Sequence, residues 1–181
     1  GDFVMVILRR HYQFWFTMLA LEKLGAVAVP ATFMLKEHDL TYRLKGADIK
    51  AVVCTSAGDI ADVVDAVAGE CPSVETLILV NPAGAGLTAQ DADGAWLIGE
   101  GELAGPALSG PEGICAAPAE RAGWRDFNSE VRAAPADFAR RETAAADPML
   151  MYFSSGTTGN PKMVLHDAGY ALAHLITAKH W

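Results

Sequence analysis

Short unbroken apolar runs alternate along this chain with longer stretches whose apolar residues return every three or four positions. Phe3 to Leu8, Ala26 to Val29, Ala51 to Cys54, Thr76 to Val80 and Met149 to Phe153 are of the first kind. Runs of this length, rich in β-branched residues and without polar alternation, predict strands buried in a sheet. The second kind predicts helices. In His11 to Leu24, Phe14, Met18 and Leu21 lie at i, i+4 and i+7, and Trp15 and Leu19 widen the face. Phe14, Trp15, Phe16 and Met18 are therefore expected in the core, and Gly25 is placed to end the helix. Lys36 to Lys45 carries Leu40 and Leu44 on one side, with Gly46 at its end. Ile60, Val63, Val64 and Val67 follow Asp59 as N-cap, with Asp62 in the first turn beside the positive helix end. Gly123 to Glu142 and Gly169 to Trp181 also read as helical. Strands alternating with amphipathic helices predict an α/β fold, a largely parallel sheet flanked by helices.

Asn81 to Glu120 breaks the pattern. Its eight glycines and four prolines show no sustained period, which reads as an exposed excursion with a hairpin around Trp96 to Ile98. A loop of that length is unusual inside a compact domain. Either it hides short elements or it packs on protein outside this chain.

The 181 residues are 51% hydrophobic and 20% charged, enough apolar material for a packed core. Their length is that of roughly one domain, at about 100–200 residues each. The formal charge of −8 is uneven: residues 51–120 hold eleven Asp and Glu and no Lys or Arg, so the remainder carries +3. Such a chain is a poor nucleic-acid binder, which needs a basic surface, and its middle third cannot grip an anion with side-chain cations. The apolar stretch Phe14 to Leu21 is far short of the ~20 residues a membrane-spanning helix needs, so no membrane is expected. Cys54, Cys71 and Cys115 are too few and too scattered for a disulfide framework, which points to a reducing, cytoplasmic compartment. No CxxC or HExxH is present, so no metal site is read. Glu37-His38-Asp39 has metal-binding residue types, but three consecutive residues cannot converge from one helix face, and Cys54 reads as a small hydrophobe. The opening GDFVMVILRR places charge after the apolar run, the reverse of a secretory signal. The start at Gly1, directly in a strand-like run, points to a natural N-terminus elsewhere.

The fifth strand runs into Ser154-Ser155-Gly156-Thr157-Thr158-Gly159-Asn160-Pro161-Lys162. Two glycines allow tight turns with positive φ. Four hydroxyls lie within five residues, turn N–H groups can converge on an oxyanion, and Lys162 can set a point charge on a phosphate. The string reads as a polyphosphate-binding device. It is not the Walker loop, because Pro161 stands at the glycine position and Met163 at the hydroxyl position of that pattern. Gly99 to Ala104 formally fits GxGxxA but has no strand before it, and neither Ser154 nor Ser155 is flanked by glycines as a hydrolase nucleophile requires.

MYFSSGTTGNPKMVLH resembles the phosphate-binding motif of the AMP-forming adenylating enzymes: acyl-CoA synthetases, luciferases and peptide-synthetase adenylation domains. The match is complete from Ser154 through Lys162. GDFVMVILRRHYQFWFTMLALEKLGAVAVPAT resembles the strand–helix–strand upstream in that family. Met163 followed by His166 resembles the medium-chain acyl-CoA synthetase branch, and LHDAGYAL is similar to the acetyl-CoA synthetase branch. The resemblance covers most of the chain, residues 81–147 least.

The resemblance implies a partial N-terminal AMP-binding domain, part of the large domain of an adenylate-forming enzyme whose C-terminal domain is absent here. It implies a carboxylic-acid substrate of short or medium chain length, ATP with Mg²⁺, and coenzyme A as second substrate. It assigns Ser154, Ser155, Gly156, Thr157, Thr158, Gly159 and Lys162 to the nucleotide phosphates, and Lys162 and His166 to catalysis. For His166 a structural role stands beside a place in the acyl or nucleotide pocket. His174, Lys179 and Trp181 line that pocket or belong to core and surface. An aryl-CoA ligase, another adenylating enzyme and a non-catalytic nucleotide-binding fragment remain alternatives, and homo-oligomerisation is left open. The later adenine, ribose, hinge and catalytic-lysine motifs of the family are not in this sequence, so turnover by this chain alone is not expected.

Overall fold

The computed structural model describes residues 1–9, 11–81, 87–90, 96–98, 120–135, 137–156 and 159–180, with backbone only at 87–90, 96–98 and 156. Expectations for Thr157, Thr158, Cys115, Trp181 and most of the 81–120 excursion lie outside these residues. In chain order the elements are β1 (Phe3–Ile7), α1 (Gln13–Leu24), β2 (Val27–Pro30), α2 (Glu37–Gly46), β3 (Ala51–Thr55), α3 (Ile60–Ala68) and β4 (Thr76–Val80). There follow β5 (Leu87–Gln90), β6 (Trp96–Ile98), β7 (Arg125–Asp126), α4 (Phe127–Ala133), β8 (Pro148–Gly156), β9 (Gly159–Asp167) and α5 (Gly169–His180). No helix among the described residues is long and apolar enough to cross a membrane.

Seven strands form one sheet in the order β7-β4-β3-β1-β2-β8-β9. Every neighbouring pair is parallel except β8 and β9. β5 and β6 pair as a separate antiparallel ribbon, in the place where a hairpin was expected.

The unbroken apolar runs are explained by burial on both faces. Met5, Ile7, Val27, Val29, Val52 and Cys54 pack toward α2 and α3, meeting Leu40, Leu44, Ile60, Val64 and Val67. Val4, Val6, Ala28, Val53 and Leu150 point the other way, toward Leu21, Phe14 and Met18 of α1 and Phe127 of α4. The division of helices follows from handedness. The chain moves from β1 outward to β2, then turns back past β1 to β3 and on to β4. Right-handed crossovers therefore put α1 on one face and α2 with α3 on the other. Met5, Ile7, Leu40 and Leu44 are fully buried, each contributing on the order of 1.5–3 kcal/mol.

Local expectations met the packing with mixed results. Gly25 ends α1 in the left-handed region at φ 67°, with its N–H on the Glu22 carbonyl and the Ala26 N–H on the Leu21 carbonyl, the double bond of a Schellman cap. Gly46 does not do this for α2. It is the last helical residue, and Asp48 at φ 49° takes the left-handed position, with the Asp48 and Ile49 N–H groups on the Lys45 and Leu44 carbonyls. Asp tolerates that region better than most residues. Asp59 precedes α3 but its side chain makes no capping bond.

Trp15, Leu19 and Phe16 are 67%, 57% and 40% exposed, against their expected place in the core. The inward stripe of α1 is Gln13, Thr17 and Leu21. Among the described residues of Gly123 to Glu142 only α4 is helical, and Asp126 caps it by accepting the Ser129 N–H at 2.6 Å. Pro135 follows closely and cannot continue a helix. β9 was not expected at all.

Candidate functional site

Because β1, β2, β3, β4 and β8 run parallel, their carboxyl ends share one edge of the sheet. β8 carries the Ser/Thr/Gly string to that edge. The described residues of the string lie on the two arms of a β-hairpin: β8 and β9 pair antiparallel, with Ser154 opposite Lys162 and Gly156 opposite Gly159. Gly159 lies at φ 139°, where a β-carbon is strained and glycine is favoured. The Ser154 hydroxyl donates to the Lys162 carbonyl at 3.4 Å. Ser154, Ser155, Gly159, Asn160 and Lys162 are all exposed. Lys162 has no ion-pair partner among the described residues, so its ammonium is available to an external anion. Exposed hydroxyls and a lysine at a glycine-hinged tip can receive a polyphosphate. For Mg²⁺, no group of three or more His, Cys, Asp or Glu side chains that could hold a metal ion is found among the described residues.

His166 is opposite Leu150 and half-buried. Its ring lies 4.1 Å from that of Tyr170 and 6.0 Å from that of Tyr152, and Tyr170 continues to His174 at 4.4 Å. Alternation along β9 puts Lys162 and His166 on one face, yet four residues of strand separate them by roughly 13 Å. The described residues of α5, His174 and Lys179 among them, are exposed except Tyr170 and the half-buried Gly169.

A second polar group occupies the same edge. Among the described residues the buried polar side chains are His11, Gln13, Thr17, Thr55 and Asn128. His11 Nε2 meets the Thr55 hydroxyl at 2.8 Å. Gln13 Nε2 and Asn128 Nδ2 both donate to the Asn81 carbonyl, at 2.8 and 3.2 Å. Burial, and then the neighbouring Arg9 charge, push the His11 imidazole down from 6.5 to about 4. His11 and Thr55 join β1 to β3 where the strand order reverses, the point at which doubly wound sheets form their crevice. Sequence reading missed this group; its signal was Gln13 and Thr17, polar residues at i and i+4 in an otherwise apolar segment, with His11 just before the helix.

Asp62 and Asp65 of the middle third are placed away from the hairpin. Arg121 binds Asp62 and Asp65, each at 2.6 Å, and the Trp124 indole donates to Asp65 at 2.7 Å. This cluster lies on the β3–β4 flank, with β1 and β2 between it and β8. Cys54 is buried, and desolvation pushes its thiol up to about 12, as a small hydrophobe requires. A cleft of about 420 Å³, bordered by Lys23, Gly25, Arg140, Asp147 and Pro148, opens at the amino ends of β2 and β8, the edge opposite the hairpin tip.

Comparison with known proteins places the chain among relatives and shows a shared fold. Acyl-coenzyme A synthetase ACSM5, mitochondrial, of Homo sapiens is 29% identical over 182 residues, covering 100% of this chain and 25% of that protein. Acyl-coenzyme A synthetase ACSM1, mitochondrial, of Homo sapiens is 30% identical over 172 residues, covering 95% of this chain and 23% of that protein. The chain thus spans about a quarter of the length of these relatives. Among solved structures, an anthranilate CoA ligase in complex with anthranoyl-AMP superposes with a TM-score of 0.70 at 20% identity. That match covers 97% of this chain and 27% of the ligase, and it shows the shared fold. The family model described as AMP-binding enzyme matches residues 1–181, and the chain belongs to that family.

Proposed function

We propose that this chain is the phosphate-binding part of an AMP-forming acyl-CoA synthetase. The observation that carries the reading is the Ser154–Lys162 string, whose described residues lie on the paired ends of β8 and β9 at the carboxyl edge of the sheet, with Ser154, Ser155 and Lys162 exposed. In the full protein a carboxylate oxygen attacks the α-phosphorus of MgATP, the bond to the bridging oxygen breaks, and pyrophosphate leaves. The coenzyme A thiol then attacks the acyl carbon, loses its proton, and AMP departs. Activation is needed because a carboxylate will not release oxide to a thiol, whereas a mixed anhydride releases AMP.

The hairpin's part is to hold the β- and γ-phosphates. Turn N–H groups and the hydroxyls of Ser154, Ser155, Thr157 and Thr158 supply hydrogen bonds, and Gly156 and Gly159 let the backbone approach closely. Lys162 offsets the charge that grows on departing pyrophosphate. Mg²⁺ entering with ATP would neutralise further charge there. His166, set back along β9, borders the acyl or nucleotide pocket. The substrate class proposed is a short- or medium-chain carboxylic acid, after the acyl-CoA synthetases the chain resembles; an aryl acid is the alternative, after the anthranilate ligase with which it shares a fold. A reducing compartment suits the free buried thiols of Cys54 and Cys71, which cytosol and mitochondrial matrix both provide.

The test is pyrophosphate–ATP exchange by the full-length protein. Lys162→Ala is expected to slow exchange at least ~10-fold, the loss of one charge-assisted contact. Unchanged exchange in that variant refutes the assignment. Coenzyme A ligation across acetate, octanoate and benzoate separates alkyl from aryl specificity.

A further inference from the structure

The hairpin has a support that none of the assigned site residues supplies. Tyr42 of α2 donates its phenol O–H to the carbonyl oxygen of Pro161 at 3.1 Å, across 119 residues of sequence. Pro161 immediately precedes Lys162 in the chain. The Tyr42 ring also meets Phe153 edge to face, 6.4 Å between centroids. Beside it, the Arg43 guanidinium carbon lies 4.8 Å from the centre of the same Phe153 ring. Phe153 immediately precedes Ser154 and packs against the core under α2 and α3. One helix therefore touches both arms of the hairpin, each a single residue from the Ser154–Lys162 pair.

That support has a physical use. β9 is the outermost strand, bonded only to β8, and most of its residues are exposed. Such edges belong to the least stable end of a fold, with local opening free energies well below the global value. Pro161 brings no N–H to the ladder, as suits an edge, so its carbonyl is the backbone handle by which another element can grip this turn. A long-range bond at that point narrows the positions from which Lys162 can meet a phosphate, and preorganised charge stabilises a transition state without reorganisation.

We propose that Tyr42 is a positioning residue for the phosphate-binding hairpin, holding the Pro161 carbonyl so that Lys162 and Ser154 stay in register with the nucleotide. This rests on the function proposed above. The discriminating variant is Tyr42→Phe in the full-length protein, which keeps the ring against Phe153 and removes one hydrogen bond. In the ligand-free protein, backbone amides of residues 153–163 are expected to exchange hydrogen about three- to tenfold faster, the range one neutral hydrogen bond commands, with β1 and β3 unchanged. In pyrophosphate exchange, kcat/KM for MgATP is expected to fall by about the same factor, while transfer from preformed acyl-adenylate to coenzyme A and the thermal midpoint stay at wild-type values.

Wild-type amide exchange, or faster amide exchange with unchanged MgATP kinetics, overturns the proposal. So does a parallel loss of both half-reactions with a lowered midpoint, which marks a merely structural residue. A wild-type protein without pyrophosphate exchange refutes the acyl-CoA synthetase reading instead, and the amide exchange of the variant then decides whether Tyr42 holds the hairpin.

Discussion

His11 gives the fold a dependence on pH whose size follows from its surroundings. The ring is 3% exposed and meets the Thr55 hydroxyl through Nε2. Burial, then Arg9, lower its folded value to about 4 from 6.5. As pH falls, the unfolded chain takes up the proton first. The contribution to stability is therefore complete above 6.5, declines between 6.5 and about 4, and is flat below. At pH 5 the unfolded imidazole is almost wholly protonated and the folded one about a tenth, a difference of about 2 kcal/mol. Other groups titrate over the same window, so the measurement is a difference between two proteins. His11→Gln keeps a hydrogen-bonding nitrogen near the Nε2 position and cannot titrate. Urea unfolding of wild type and variant in the full-length protein, at about pH 7.5 and pH 5, should show the wild type losing about 2 kcal/mol more than the variant. A gap between them that stays constant to within about 0.5 kcal/mol refutes the account, because then the imidazole is not held neutral by the fold.

Two further outcomes follow from burial and backbone geometry. Cys54, its thiol pushed up to about 12, and fully buried Cys71 should remain unmodified by iodoacetamide in the native protein and react in denaturant, as peptide mass mapping reads. Native labelling of Cys54 on the timescale of an exposed thiol contradicts the packing. Gly25→Ala should cost about 1–2 kcal/mol in urea unfolding, for the left-handed φ and for a β-carbon placed 3.1 Å from Arg141 Cδ. A neutral substitution there would mean the cap is not held in this form.

The central strands were legible because their surroundings are simple. A segment buried on both faces must be apolar at every position, so β1, β3 and β4 announced themselves within a residue or so. The amphipathic stripe of α3 did the same. α1 misled, because Phe14, Trp15, Phe16, Met18, Leu19 and Leu21 surround it with apolar residues and periodicity has no single stripe to choose. Its buried Gln13 hydrogen-bonds to Asn81, a partner 68 residues away that no local pattern reveals. β9 escaped for the opposite reason: as an exposed edge strand it is under little pressure to alternate. Two glycines bracketing Thr157-Thr158 between β-prone runs were the available hairpin signal. In the 123–142 segment, Pro135 marked a helix end that the apolar content obscured.

The amino-acid sequence by itself determined the α/β class, the parallel core, the family resemblance and the nine-residue string for which phosphate binding is proposed. These are local or strictly periodic features, and each states its environment in residue type. Only the tertiary structure decided that the described residues of the string lie on the two arms of a hairpin with Ser154 facing Lys162, that His166 is set back along β9, and that Tyr42 reaches Pro161. Those are matters of register and long-range approach. A shift of one residue in the β8–β9 ladder would turn Lys162 to the other face of the sheet, and nothing in a string of residue types records which ladder forms.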